Sequence, residues 1–313
     1  MLGSDSRLVG VIALGTRLSE QPYSGEDKRL LASVASQAEL ALEGISRGEE
    51  IAEGIEAGRR VAQEMEFARQ VQARLFPQKL PALQTLDYAG ICIQARQVGG
   101  DYYDFLGSHP GRLAFVLADV AGKGISGALV MANLQANLRS QYATALDDPQ
   151  RLLNSVNHIF YENTSGNSYA TLFFATYEDA SRVLCYINCG HLPALLLRAN
   201  PSSRLPDSSS SMCALEHLRS TSTVLGLFEN WQASMAETRL APGDTLVLYT
   251  DGVTEATDHA GEEFGEGRLV DVVQMHLSLP PQLLIKAIVA EIQRFAGSEQ
   301  EDDITLVIVR CGA

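Results

Sequence analysis

The chain is short of what several functional classes require. Its 24 Lys+Arg stand against 38 Asp+Glu, a formal net charge of −14, so the basic surface that nucleic acid or an anionic membrane demands is missing. No uncharged apolar run approaches the roughly 18 residues of a spanning helix. The opening "MLGSDSRLVG" lacks the basic-then-apolar layout of a secretory signal, which makes the cytoplasm the expected compartment. Five cysteines, at 92, 185, 189, 213 and 311, are odd in number and include no CxxC. Neither a disulfide framework nor a thiolate zinc site is indicated. Cys185 and Cys189, in the strand-like "VLCYINCG", read as small packed apolar residues. No persuasive Ser–His–Asp or Cys–His arrangement stands out either. What remains is an ordinary apolar fraction of 46% over 313 residues, enough for one large domain plus an accessory piece.

Three segments follow along the chain. Residues 1–43 read as strand ("RLVGVIALG"), loop and helix. Ser24 and Asp27 have the form of a capping box, and Leu30, Leu31, Val34, Ala38 and Ala41 keep helical spacing. Residues 44–80 stay helical and highly charged. Ile51, Ile55, Gly58, Ala62 and Met65 repeat at alternating spacings of four and three, the seam of a coiled coil that would pair two subunits as a homodimer. Gly44, Gly48, Gly54 and Gly58 weaken that helix by about 1 kcal/mol each relative to alanine, and "FPQKLP" ends it. Residues 81–313 alternate strands (86–95, 112–118, 170–177, 182–188, 194–198, 234–240, 244–250, 303–309) with helices (126–145, 149–162, 266–277, 281–296). Strands in consecutive runs and helices in pairs predict an α+β layered domain rather than a repeating βαβ sheet. "NPSSRLPDSSSSM" reads as a solvated loop.

Acidic residues stand at the ends of apolar elements beside small residues: Asp101 after Gly100, Asp119 in "LADVAGKG", Asp251 in "LYTDGV", and Asp302–Asp303 before "ITLVIV". A single Asp there is ordinarily a turn former or cap. Four such sites in one domain would repel if gathered at a sheet edge, unless protonated or bound to a cation. With oxygen donors and no His/Cys cluster, that cation would be hard, Mg²⁺ or Mn²⁺.

"VGGDYYDF", "LADVAGKGISGALVMA", "ATLFFATYE", "CGHLPALLL", "VLGLF", "GDTLVLYTDGVTEATD", "FGEGRL" and "EDDITLVIVR" occur in the order seen in PPM-type metal-dependent Ser/Thr phosphatases. Over about residues 64–311 the chain resembles their bacterial SpoIIE/RsbU branch. The stretch before it resembles the last strand and helix of a GAF sensor domain. The resemblance implies an α-β-β-α sandwich of two antiparallel sheets between helix pairs, with two divalent cations, Mn²⁺ or Mg²⁺, at one edge. It implies that Asp119 bridges them, the Val120 carbonyl binds one, Asp251 and Asp302 bind the other, and Asp101 completes the cluster. Asp303 is then a supporting residue, and Arg96 falls where some relatives bind phosphate. The implied substrate is a phosphoserine or phosphothreonine on a regulatory protein of the anti-sigma-factor-antagonist type. His191 is expected to stabilise a turn, and Asp104 to bond locally.

Other readings stay open. "GKGISG" (122–127) fits G-x-G-x-x-G, but Asp119 would face the pyrophosphate and the acidic pair Asp147–Asp148 follows a helix instead of a second strand. A phosphatase-like module without turnover and a small-molecule phosphoesterase remain alternatives of other classes.

Overall fold

The computed structural model describes residues 10–107, 109–143, 148–164, 168–199, 213–297 and 300–312. The chain divides into two compact units, Met1–Glu66 and Phe67–Ala313.

In the first unit the capping box forms. Ser24 Oγ accepts from the Asp27 amide at 3.2 Å, and the Asp27 carboxylate accepts from the Ser24 amide at 2.8 Å. Helix α1 (Gly25–Ala73) then runs for 49 residues, straight through the boundary expected at 44. Its glycines at 44, 48, 54 and 58 stand in open space, with nothing within 4 Å of an added Cβ. The one buried residue of α1 is Gln72, whereas Leu30, Val34, Ile51, Ile55 and Val61 are exposed. Of the strand expected over 7–15, residues 7–9 lie outside the described residues and 11–15 are not in a strand. A lone strand has no ladder partner to hold it.

The second unit holds ten strands among its described residues: β1 (Leu86–Ile93), β2 (Tyr102–Leu106), β3 (Arg112–Val120), β4 (Ala170–Glu178), β5 (Val183–Cys189), β6 (Ala194–Arg198), β7 (Ala214–Leu218), β8 (Ala236–Arg239), β9 (Thr245–Tyr249) and β10 (Ile304–Cys311). They form two antiparallel five-stranded sheets, ordered β1-β10-β9-β6-β7 and β2-β3-β4-β5-β8. The helices are α2 (Ile125–Tyr142), α3 (Pro149–Asn163), α4 (Asp251–Thr254), α5 (Gly265–Met275) and α6 (Pro281–Ala296).

Period-two alternation gives β3 two buried faces. Leu113, Phe115 and Leu117 pack against Leu246, Leu248, Val307 and Val309 of the other sheet. Ala114, Val116 and Ala118 pack with Met131, Leu134 and Leu138 of α2 and Leu152 and Val156 of α3. On the other side Val247, Tyr249, Leu306 and Ile308 join Leu269 and Val273 of α5 and Leu284 and Ile288 of α6. The class is therefore α+β, as the grouping of elements predicts. Two strands escaped the sequence reading. β2 ("YYDFL") hides a buried Asp104 in a short apolar run, and β7 is a largely exposed edge strand. The Ser-rich loop at 200–212 lies outside the described residues.

Candidate active site

Strand pairing brings the acidic tips together. β9 and β10 are antiparallel neighbours with Tyr249 opposite Leu306, so Asp251, just past β9, meets Asp302 and Asp303, just ahead of β10. In the second sheet Tyr102 lies opposite Ala118, which sets Asp101 beside Asp119 at the end of β3. Asp119, Asp302 and Asp303 line one small cleft, together with Arg96, Lys123 and the backbone around Gly99 and Gly100.

Electrostatics register this crowding. Burial, and then the negative charge of Asp119, push the Asp101 carboxyl well above the usual carboxylate range. Burial, followed by Asp251, Asp302 and Asp303, pushes Asp119 up to about 7. Asp251 is raised by burial and by Asp302. Each carboxylate makes the next harder to ionise. Among the described residues no three Asp, Glu, His or Cys side chains have closed into a ready-made coordination set. Asp302 is engaged by a cation of the chain itself: Lys123 Nζ donates to its Oδ2 at 2.7 Å.

Supporting contacts fix the frame. Thr250 Oγ1 donates to Asp101 Oδ2 at 2.8 Å and Thr305 Oγ1 donates to the same oxygen. Asp303 Oδ1 accepts the Ala95 amide at 2.9 Å, and its other oxygen accepts the Asp101 amide at 3.5 Å. Asp303 thus organises the loop that carries Asp101. A Cβ on Gly99 would sit 1.7 Å from Asp303 Oδ2, so any side chain there would displace that carboxylate. Gln72 reaches the same loop, donating to the Gly99 carbonyl at 2.7 Å and accepting its amide at 3.2 Å.

The remaining candidates separate cleanly. His191 is buried between the sheets. Its Nε2 lies 3.1 Å from the Tyr249 carbonyl and therefore carries the proton, so Nδ1 accepts from Thr171 Oγ1 at 2.7 Å. Burial lowers its pKa to about 4 and keeps it neutral. It staples β4 to β9 behind the cleft. Asp104 takes two hydrogen bonds from Arg139, at 2.7 and 3.0 Å, and one from Tyr102 Oη at 2.6 Å. It is not part of the cluster. Gly127 explains "GKGISG": its Cβ would lie 2.4 Å from the Gly122 carbonyl, so these glycines close a tight turn against α2. The sequence reading passed over Lys123, Thr250, Thr305 and Gln72. Thr250 and Thr305 had a signal, since each stands within two residues of a cluster aspartate.

Two antiparallel five-stranded sheets with aspartates gathered at one edge make a PP2C-like α+β fold. The solved SiaA-PP2C domain of Pseudomonas aeruginosa shares the fold, with a TM-score of 0.68 at 21% identity over 81% of this chain and 98% of that one. The family model for Stage II sporulation protein E (SpoIIE) matches residues 109–312, more than half of the sequence. The chain belongs to the SpoIIE family. Among curated relatives it is 27% identical to phosphoserine phosphatase RsbU of Bacillus subtilis, over 77% of this chain and 68% of RsbU. It is 29% identical to Protein IcfG of Synechocystis sp., over 77% of this chain but only 40% of IcfG. No helix among the described residues is long and apolar enough to cross a membrane.

Proposed function

We propose that the chain removes phosphate from phosphoserine or phosphothreonine on a regulatory protein, of the kind an anti-sigma-factor antagonist represents, in the cytoplasm. The observation that carries this is the cleft in which Asp119, Asp302 and Asp303 meet Arg96 and Lys123. Acidic oxygens suit hard cations, and cationic side chains at the rim suit a phosphate dianion. The raised pKa values of Asp101, Asp119 and Asp251 support the fit, because a bound divalent charge would relieve the repulsion that raises them.

In this reading Asp119, the Val120 carbonyl, Asp251, Asp302 and Asp101 would hold two divalent cations, with Asp119 shared between them. Bound Mn²⁺ or Mg²⁺ supplies Lewis acidity that activates water and neutralises phosphoryl charge. The chain's own work is placement. Thr250 and Thr305 fix one oxygen of Asp101, Asp303 holds the 95–101 loop, and Arg96 orients the phosphate. We take the three cores as four stacked layers, α-β-β-α, with the cleft at one edge.

The first unit is read as the end of a GAF-like sensor followed by a coiled-coil linker that pairs two copies. The apolar residues left exposed along α1 support this, since an isolated helix gains little from propensity alone.

The deciding experiment is hydrolysis of p-nitrophenyl phosphate and of a phosphoserine protein, with and without Mn²⁺. Activity on both that vanishes in EDTA and returns with Mn²⁺ or Mg²⁺ is expected. Undiminished hydrolysis in chelator sinks the two-cation reading, and turnover of the small ester alone favours a small-molecule phosphoesterase.

A further inference from the structure

Lys123 stands where two recesses meet. On one side it lines the acidic cleft with Arg96, Asp119 and Asp302. On the other it lines a groove of about 460 Å³, with Ile292, Ala296 and Ile304 as apolar lining and Glu255, Gln293 and Gln300 as polar lining. Asp302 borders both recesses as well. The two side chains are 179 residues apart in sequence, yet Nζ and Oδ2 are 2.7 Å apart, so their ion pair is a partition between cleft and groove.

Three observations say what the partition does. First, the pair is open to solvent, with Lys123 57% and Asp302 41% exposed. Exposed pairs contribute little stability, so this one exchanges readily. Second, the Lys123 ammonium makes its hydrogen bond to Asp302 alone, although Asp119 and Asp303 line the same cleft. A divalent ion would bring more charge to the same oxygens. Third, Arg96 lines the same cleft and opposes the charge of Lys123. Asp302 now lies against one of these two cations, and once a divalent ion takes that carboxylate the pair is left facing the cleft with charge for another anion.

We propose that Lys123 is a resident counter-ion of this site and its second phosphate ligand. It pairs with Asp302 in the cation-free protein and gives up that carboxylate when the site is loaded. The freed ammonium then contacts a phosphate oxygen opposite Arg96, at the mouth of the groove that receives the chain around the phosphorylated residue. This deepens the phosphatase reading above and rests on it. No bond to Lys123 is made or broken covalently, and its proton stays on Nζ throughout.

The test separates the two roles with Mn²⁺ itself as probe. Mn²⁺ binding to the chelator-stripped protein is measured by calorimetry or by the paramagnetic resonance of free Mn²⁺, for wild type, Lys123→Gln and Lys123→Arg. KM and kcat on a phosphoserine protein are measured at saturating Mn²⁺. Lys123→Gln should bind Mn²⁺ about threefold to fivefold more tightly, because Asp302 no longer has a rival, while KM rises about tenfold and kcat changes less. Lys123→Arg should restore wild-type Mn²⁺ affinity and hold KM within about threefold. Loss of a nearby positive charge alone would tighten metal binding without moving KM, so the two readouts together decide. Unchanged or weaker Mn²⁺ affinity in Lys123→Gln, or an unmoved KM, overturns the proposal while leaving the phosphatase reading intact. Wild-type protein that binds no Mn²⁺ overturns both.

Discussion

Asp101 and Asp104 lie three residues apart, 3% and 0% exposed, and their environments are opposite. Asp104 has a guanidinium from α2 and a tyrosine hydroxyl, so its charge is balanced where it lies. Asp101 has two threonine hydroxyls and, facing it, another carboxylate. A buried carboxylate normally finds a partner. Asp104 has found one within the protein, whereas Asp101 faces Asp119, and burial with that second charge raises its pKa. The same contrast separates Asp244, bonded by Arg198 at 2.9 Å, from Asp119. Buried acid alone therefore marks nothing here. Buried acid crowded by other acid marks the cleft.

The largest effect that would sharpen this contrast lies at the proposed bridge. Asp119→Asn should lower the rate with Mn²⁺ about 10³-fold or more, some 4 kcal/mol of transition-state stabilisation, with the fold intact by circular dichroism. Near-wild-type turnover in that variant would falsify the assignment of Asp119.

Next comes the pair itself. Asp104→Ala leaves Arg139 without its carboxylate and Tyr102 Oη without its acceptor. Arg139 is 45% exposed and can recover water, so the loss should be about 2–3 kcal/mol, or roughly 5–10 °C in Tm. Activity per folded molecule should persist. Asp101→Asn should do the reverse, sparing or raising the Tm of chelator-stripped protein while removing most activity. Thermal melts and specific activities on the two variants decide it, and equal behaviour would erase the distinction.

A smaller effect follows from pH. In the cation-free fold Asp119 titrates at about 7, against 3.8 as its ordinary value. Between those values the folded state holds the proton more tightly than the unfolded chain. Asp119 therefore destabilises the fold progressively as pH rises through that window, and fully above about 7. In EDTA, Asp119→Asn should melt a few degrees above wild type at pH 8, with the gap closing towards pH 4. A gap that widens on acidification would reverse the sign and defeat the electrostatic account of the cleft.

The smallest effect is in α1, which lacks such buried charge. Replacing Gly54 and Gly58 with alanine meets no neighbour and should raise helicity, by about 1 kcal/mol of helix stability per site. Ile55→Glu with Met65→Glu should give monomers in sedimentation if the seam pairs two chains. A wild-type chain already monomeric at high micromolar concentration, with activity indifferent to all four changes, leaves α1 a plain surface helix.

The sequence by itself determined the α+β grouping, the helices near 126–145, 149–162, 266–277 and 281–296, and the aspartates at strand tips. Those features are written in local periodicity and in abrupt switches from apolar run to carboxylate, which need no knowledge of partners. The motif order also located the family that residues 109–312 match. Tertiary structure decided the rest. β2 became a strand because Arg139, 35 residues on, neutralises Asp104 inside it. Which aspartates are balanced and which are not depended on Arg139, Arg198, Thr250, Thr305 and Lys123, each brought in from a distant part of the chain. Charge compensation acts through space at a few ångströms, and only the paired sheets set those distances.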